Sequence, residues 1–187
     1  MRINLIRHGL TAGNLTKCYI GRTDEPLCQL GIDGIKGRSY PRADIVISSP
    51  MIRCIETAGL IYPLLTPIIN DGLRECDFGD FEGRNYHELC GDKRYQEWID
   101  SGGSSAFPNG ELPDDFRERS CKAFLESVRK LPQDRVISMV VHGGTIMSVM
   151  SRFGDPPRGY FDCIVENGCG YVTDWNGKII TVISELK

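Results

Sequence analysis

Two short apolar runs, each ending in histidine and glycine, constrain this chain more than any other feature. Ile3-Asn4-Leu5-Ile6 leads into Arg7-His8-Gly9, and Arg135-Val136-Ile137-Ser138-Met139-Val140-Val141 leads into His142-Gly143-Gly144-Thr145. Runs of this length, rich in β-branched residues, read as buried strands of a parallel sheet. Ligands of an open α/β sheet bind just outside the carboxyl ends of its strands, so each histidine stands where chemistry is expected. Gly9 lets the chain turn sharply after the first strand. After the second, Ile146, Met147, Val149 and Met150 mark a helix. Its N-terminus presents unpaired amides and partial positive charge, a seat for an oxyanion or phosphate. A third expected strand, residues 44–48, runs into Ser49-Pro50, which reads as a helix N-cap and first helical residue. Met51, Ile52, Ile55, Ala58 and Tyr62 share one face of that helix, and Pro63 stops it. Arg53 lies in its first turn, off that face and close to the same strand ends.

The remaining chain is read around those junctions. Residues 10–30 form a polar, glycine-punctuated loop, and such a long loop in a compact domain usually serves a site. A helix is expected over residues 29–40. Residues 73–83 alternate acids and aromatics through glycines with no helical or strand period, marking a shaped loop that carries Glu75. A carboxylate among aromatic rings has its pKa raised by desolvation. Asp77, Asp80 and Glu82 read as that loop's solvated face, and His87 as a solvent-facing helical histidine. Helical patterns follow near 86–90 and 94–100, then a Gly/Ser-rich loop over 101–110. Pro113 opens a long helix with Phe116, Ser120, Phe124, Val128 and Leu131 on its inner line. Strands are expected at 163–165, 170–175 and 178–184, with Asn176-Gly177 as a hairpin turn.

Composition narrows the class. The 187 residues, 41% apolar and 25% charged, suit one globular domain spanning 1–187. A net charge of −3 argues against a nucleic-acid partner. No apolar run approaches the roughly 18 residues of a membrane span. The first strand begins almost at Met1, leaving no room for a targeting segment, so the cytoplasm is the expected compartment. The eight cysteines are scattered with no C-x-x-C pair, which favours reduced thiols filling apolar space over disulfides or a zinc site.

Two arginines and two histidines converging on one point need an anion, and a phosphate dianion suits them. The set Arg7-His8-Gly9 with Thr11 and Asn14, Gly21 to Leu27, Ser48 to Arg53 with Glu56-Thr57-Ala58, Leu73-Arg74-Glu75 with Phe78-Gly79, and Val140 to Gly144 occurs in one order. In that order it resembles the histidine phosphatase superfamily, in its phosphoglycerate-mutase-like branch. The resemblance implies an α/β fold, a three-layer α/β/α sandwich with a mostly parallel central sheet. It implies that His8 is the nucleophile and that Arg7, Arg53 and His142 hold the phosphoryl oxygens. Asn14, Gly21 and Gly143 would join the substrate-binding set, and Glu75 would be the acid and then the base. It implies no metal and no other cofactor. The expected substrate is a small-molecule phosphate, and the oligomeric state is unread. Leu10, Cys28 and Phe81 depart from the family pattern without removing a catalytic group. The leading expectation is a metal-independent phosphomonoesterase. A phosphoglycerate mutase is the rival enzyme, and a non-catalytic phospho-ligand binding module the rival of another class. The segments Gly21 to Leu27 and Phe107 to Glu111 are similar to α-ribazole-5′-phosphate phosphatases, which work in cobalamin nucleotide-loop assembly.

Overall fold

Alternation within the first strand decides the layering. In β1 (Arg2–Arg7), Ile3 and Leu5 face one side of the sheet and Asn4 and Ile6 the other, and all four are buried. The computed structural model describes residues 1–187. After β1 come α1 (Ala12–Leu15), α2 (Gln29–Lys36), β2 (Ile45–Ser48), α3 (Ile52–Ile61) and β3 (Ile68–Ile69). An excursion carrying α4 (Tyr86–Leu89) and α5 (Lys93–Asp100) leads to α6 (Pro113–Arg129). The chain closes with β4 (Val136–Val141), α7 (Gly143–Phe153), β5 (Gly154–Asp155), β6 (Gly170–Trp175) and β7 (Ile180–Leu186).

The seven strands run in the order β3-β2-β4-β1-β6-β7-β5. The first four are mutually parallel, and β6 is antiparallel to both β1 and β7. Ile3, Leu5, Ile137, Met139 and Val141 pack on α6 and α7 through Phe124, Val128, Ile146, Val149 and Met150. On the opposite face Ile6, Val46 and Val140 pack on Cys54, Ala58 and Tyr62 of α3 and its C-terminus, with α2 lying against α3. These faces make the three layers. A separate cluster of Cys76, Phe81, Leu89, Tyr95, Phe107 and Phe116 sits outside the sandwich, with Tyr19, Phe78 and Trp98 against it.

Parallel register places the two histidines side by side. Arg7 pairs with Val141, and the His8 amide donates to the Val141 carbonyl at 2.9 Å. The next residue on each strand, His8 and His142, therefore leaves the sheet at one point.

Several local expectations are corrected. The loop 10–30 contains the one-turn α1, closed by a Thr11–Asn14 capping box. The helix expected to reach residue 40 ends at Lys36, where Gly37 is the C-cap. Helix α3 starts at Ile52 rather than Pro50, and Ser49 does not cap it. The Ile52 amide donates instead to Asp24 Oδ1 at 2.7 Å, a cap supplied from a distant loop that local spacing cannot reveal. The buried face of α3 accordingly carries Arg53, Cys54, Thr57 and Ala58, while Ile52 and Ile55 are 38% and 40% exposed. Residues 160–163 form a 3₁₀ turn and no strand forms at 163–165; the edge strand beside β7 is β5. The two-residue edge strands β3 and β5 are too short to leave a period. All eight cysteines are free thiols. No helix is long and apolar enough to cross a membrane.

Candidate active site

His8 is 4% exposed, and its Nδ1 lies 2.7 Å from the Gly9 carbonyl. A carbonyl only accepts, so Nδ1 carries the proton and Nε2 keeps its lone pair. The turn itself is held from both sides. The Gly9 amide donates to Thr57 Oγ1 at 2.9 Å, and Thr57 donates to the Arg53 carbonyl at 2.7 Å. Asn167 Nδ2 donates to the carbonyls of His8 and Gly9 and to Asn14 Oδ1, at 3.1, 3.3 and 3.0 Å. Burial pushes the His8 pKa well below the usual histidine value, and Arg53 and Arg7 push it the same way. The ring is neutral at pH 7, with one nitrogen free to attack.

Two guanidinium groups stand beside it. Arg53 is fully buried and donates to the Thr23 and Gly21 carbonyls, each at 2.8 Å. Arg7 donates to the Val165 carbonyl at 2.8 Å and lies against Gly143, where a Cβ would stand 3.4 Å from its Cζ. The Nε of each is buried without a hydrogen-bond partner. Neither has a carboxylate salt bridge, so two desolvated cations face one point, an arrangement that favours an anion there. His142 is fully buried, with its ring centroid 5.2 Å from that of His8 and its Nε2 2.8 Å from Ser49 Oγ. It is the N-cap of α7 and bonds none of that helix's amides through its side chain. Asn14 Oδ1 is occupied by the Thr11 amide and Asn167, leaving its NH₂ as the group open to a ligand. Gly21 is placed otherwise. Its amide donates to Glu82 and its carbonyl accepts from Arg53. A Cβ there would fall 1.7 Å from the Cys76 carbonyl, so glycine lets two loops touch.

Glu75 closes the site from the excursion. Its Oε1 accepts from the Cys76 amide at 3.0 Å and its Oε2 from the Gly144 amide at 3.2 Å. Burial raises its pKa, against the opposing pull of those two bonds and of Arg53 and Arg7. A Cβ at Gly144 would come within 2.5 Å of Oε1, so glycine there is what lets the carboxyl reach the helix N-terminus.

Two cavities meet at Glu75. One, of about 230 Å³, is lined mainly by rings: Tyr19, Phe78, Trp98, Phe107, Phe116, Tyr160 and Phe161. The other, of about 440 Å³, is lined by no hydrophobic residue and includes Arg22, Arg74 and Arg119. Each of these arginines is paired: Arg22 with Asp77 at 3.3 Å, Arg74 with Asp71 at 3.1 Å, Arg119 with Glu111 at 2.8 Å.

The structure thus brings His8, His142, Arg7, Arg53, Asn14, Gly143 and Glu75 together. It also gives residues roles that sequence reasoning missed. Glu82 is no solvated bystander: its carboxylate accepts from the amides of Gly21, Arg22, Thr23 and Phe78 and from the Thr23 hydroxyl. Thr57 and Asn167 fix the His8 turn. Asn167 lies 159 positions from His8, and nothing in its flanking residues announces the contact.

Comparison with known proteins accords with this geometry. A profile of the histidine phosphatase superfamily (branch 1) matches residues 3–184. The chain is 29% identical to adenosylcobalamin/alpha-ribazole phosphatase of Escherichia coli (strain K12), over 97% of this chain and 94% of that protein. It is 30% identical to a 2,3-bisphosphoglycerate-dependent phosphoglycerate mutase of Methylorubrum extorquens (strain PA1), over 78% of this chain and 76% of that one. The crystal structure of the alpha-ribazole phosphatase from Shigella flexneri superposes with a TM-score of 0.87 at 28% identity, covering 100% of this chain and 96% of the other. A phosphoglycerate mutase from Thermus thermophilus superposes with a TM-score of 0.78 at 28% identity, covering 100% and 99%. With a profile match across nearly its whole length, the chain belongs to the histidine phosphatase superfamily, branch 1, and is an enzyme of the phosphatase class.

Proposed function

We propose that this chain, acting as one domain, hydrolyses small-molecule phosphate monoesters through a phosphohistidine on His8. The observation that carries the reading is the Nδ1–Gly9 carbonyl bond, which leaves a neutral imidazole with Nε2 free beside the guanidinium groups of buried Arg53 and half-buried Arg7. In the first step the Nε2 lone pair forms a bond to phosphorus and the ester P–O bond breaks. The leaving alkoxide takes the proton of Glu75, whose raised pKa keeps it protonated to higher pH than an ordinary carboxyl. In the second step the Glu75 carboxylate takes a proton from water as that water bonds to phosphorus. The P–N bond breaks, its electrons return to Nε2, and inorganic phosphate leaves. Arg7, Arg53, His142 and the Asn14 amide neutralise charge on the equatorial oxygens. Because these groups supply the charge stabilisation, the reading calls for no metal ion.

The ring-lined cavity beside Glu75 supports an aromatic or nucleoside-like leaving group, since stacking needs no charge pairing. α-Ribazole 5′-phosphate, or a similar ribosyl monophosphate, fits that description. Mutase chemistry needs unpaired cations near the acid to grip a second phosphate and a carboxylate, and the three arginines there are each matched by an acid. The test is a panel of monophosphates ranked by kcat/KM, with and without EDTA, plus a mutase assay primed with 2,3-bisphosphoglycerate. The expected result is EDTA-insensitive hydrolysis, faster for the ribosyl monophosphate than for 3-phosphoglycerate. Robust mutase turnover or preference for phosphoglycerates would overturn the substrate assignment. Failure to trap an acid-labile phosphoryl-enzyme would overturn the chemistry and favour a binding module.

A further inference from the structure

Ser49 is fully buried at the end of β2, and it is not the N-cap of α3, which is Met51. The Met51 amide approaches the Ser49 hydroxyl only at 3.4 Å, whereas His142 Nε2 lies at 2.8 Å. Its backbone is locked in place: the Ser49 amide donates to the Val140 carbonyl at 3.1 Å, and Ser48 Oγ donates to the Ser49 carbonyl at 2.8 Å. Strand β4 neighbours β2, so the sheet itself sets the Ser49–His142 distance. The other polar neighbour of the ring is Cys54 Sγ, at 3.6 Å from Nε2 and 3.9 Å from Nδ1. Nδ1 has no oxygen partner within the protein.

We infer that Ser49 is a positioning residue of the phosphoryl clamp: its hydroxyl fixes the His142 tautomer and stays bonded when that ring changes charge. The groups acting on the ring are Arg53 and Cys54 from α3, Arg7 and His8 from the end of β1, and Arg119 from α6. Burial, then Arg53, His8, Arg7 and Arg119, hold the imidazole neutral in the ligand-free protein. A neutral ring has one N–H. With Ser49 O–H donating to Nε2, that N–H sits on Nδ1, available to a phosphoryl oxygen. A bound dianion offsets the two guanidinium charges and favours a second proton on the ring. Nε2–H then donates to Ser49 Oγ, because a hydroxyl serves as donor or acceptor by rotating. Alanine provides neither role, and a carboxylate would only accept.

The inference rests on the phosphatase reading only for its second half, and histidine ¹⁵N NMR separates the two. The chain has three histidines, His8, His87 and His142, so the spectrum is assignable with His8→Gln and His87→Gln. In phosphate-free wild type, His142 is expected as a single neutral tautomer protonated on Nδ1. Saturating inorganic phosphate should bring both ring nitrogens to the protonated signature. In Ser49→Ala the free protein should lose the single tautomer, and the vanadate inhibition constant should rise roughly 10–100-fold, the size of a hydrogen bond to a charged group. His87 should not change. An Nε2–H tautomer in the free wild type, or an unchanged tautomer and unchanged vanadate inhibition in Ser49→Ala, overturns the inference. If wild type neither hydrolyses monophosphates nor binds phosphate, the phosphatase reading and the charge-change half fall together. The free-state tautomer still decides the first half.

Discussion

The two sides of the cleft are built on different principles. The proposed phosphate side hangs from the carboxyl ends of three parallel strands: register brings Arg7, His8 and His142 together, and Arg53 joins them from the first turn of α3, held by the carbonyls of Gly21 and Thr23. The leaving-group side is the excursion between β3 and α6 with Tyr19, where short helices and 3₁₀ turns carry an aromatic cluster outside the main core. It is stitched to the rest by carboxylates on backbone amides and arginines, such as Glu82 on Gly21 to Thr23 and Glu111 on Arg119. A sheet edge cannot shift one residue without moving every neighbour, whereas a loop held by side chains can be rebuilt locally. On the proposed reading, the groups that carry the chemistry are therefore the rigid part of this architecture, and those that choose the substrate the adjustable part.

The largest expected effect lies on the rigid side. His8→Ala should lower turnover by at least about 10⁴-fold and abolish the rapid-quench phosphoryl-enzyme, because no other buried neutral imidazole has a free nitrogen in its place. A variant that still traps phosphate would move the nucleophile elsewhere. Next is the group where the two sides meet. Glu75→Gln should slow poor leaving groups by about 10²–10⁴-fold, yet barely affect p-nitrophenyl phosphate, whose leaving group hardly needs a proton. In wild type, burial lifts the Glu75 pKa, so turnover of poor leaving groups should fall as pH rises through that lifted value. Hydrolysis of p-nitrophenyl phosphate should lack that alkaline limb. Equal losses on both substrates would make Glu75 a structural residue.

The same division explains what is legible in the sequence. Strand runs followed by histidine and glycine, and Arg53 five residues after a strand, announce the phosphate side, because sheet ends and helix starts leave periodic traces. The helix containing Arg53 nonetheless misleads. Ile52 and Ile55 look like its core face, yet Arg53 turns inward to the carbonyls of Gly21 and Thr23, in the same distant loop whose Asp24 caps the helix. On the excursion, Glu75 stands out through its setting, while Glu82, a few residues on, looks like surface. Its donors come from residues 21–23, about 60 positions away, and such pairing has no period. Edge strands β3 and β5 are invisible for the complementary reason, at two residues each.

A smaller effect is expected at the seam between the two sides. Glu82 receives donors from residues 21–23, and the carbonyls of Gly21 and Thr23 in turn receive Arg53. Glu82→Gln replaces one acceptor oxygen with a donor facing other donors, so the turn should loosen and Arg53 with it. The expected result is roughly a tenfold rise in the vanadate inhibition constant, with kcat/KM falling by the same factor for aromatic and aliphatic monophosphates alike. A loss confined to aromatic substrates would place Glu82 with the adjustable side instead.

The smallest effect should be the most diagnostic of substrate choice. Phe161 lines the aromatic cavity yet is 64% exposed, unlike Phe116 at 2% and Phe107 at 5%, whose removal would disturb the excursion's own core. Phe161→Ala should leave stability within about 0.5 kcal/mol of wild type, as for other exposed positions. Any kinetic change then reports contact with the leaving group rather than loss of fold. One ring–ring contact is worth about 0.5–1.5 kcal/mol, or roughly 2–10-fold. The kcat/KM for a ribosyl monophosphate bearing an aromatic base should fall by that amount, while glycerol phosphate, too small to reach the cavity wall, should be unchanged. Melting temperature and the two kcat/KM values measured on one preparation decide it. Equal loss on both substrates, or none on either, would mean the leaving group lies along the paired arginines of the polar cavity, and the aromatic wall would then be packing alone.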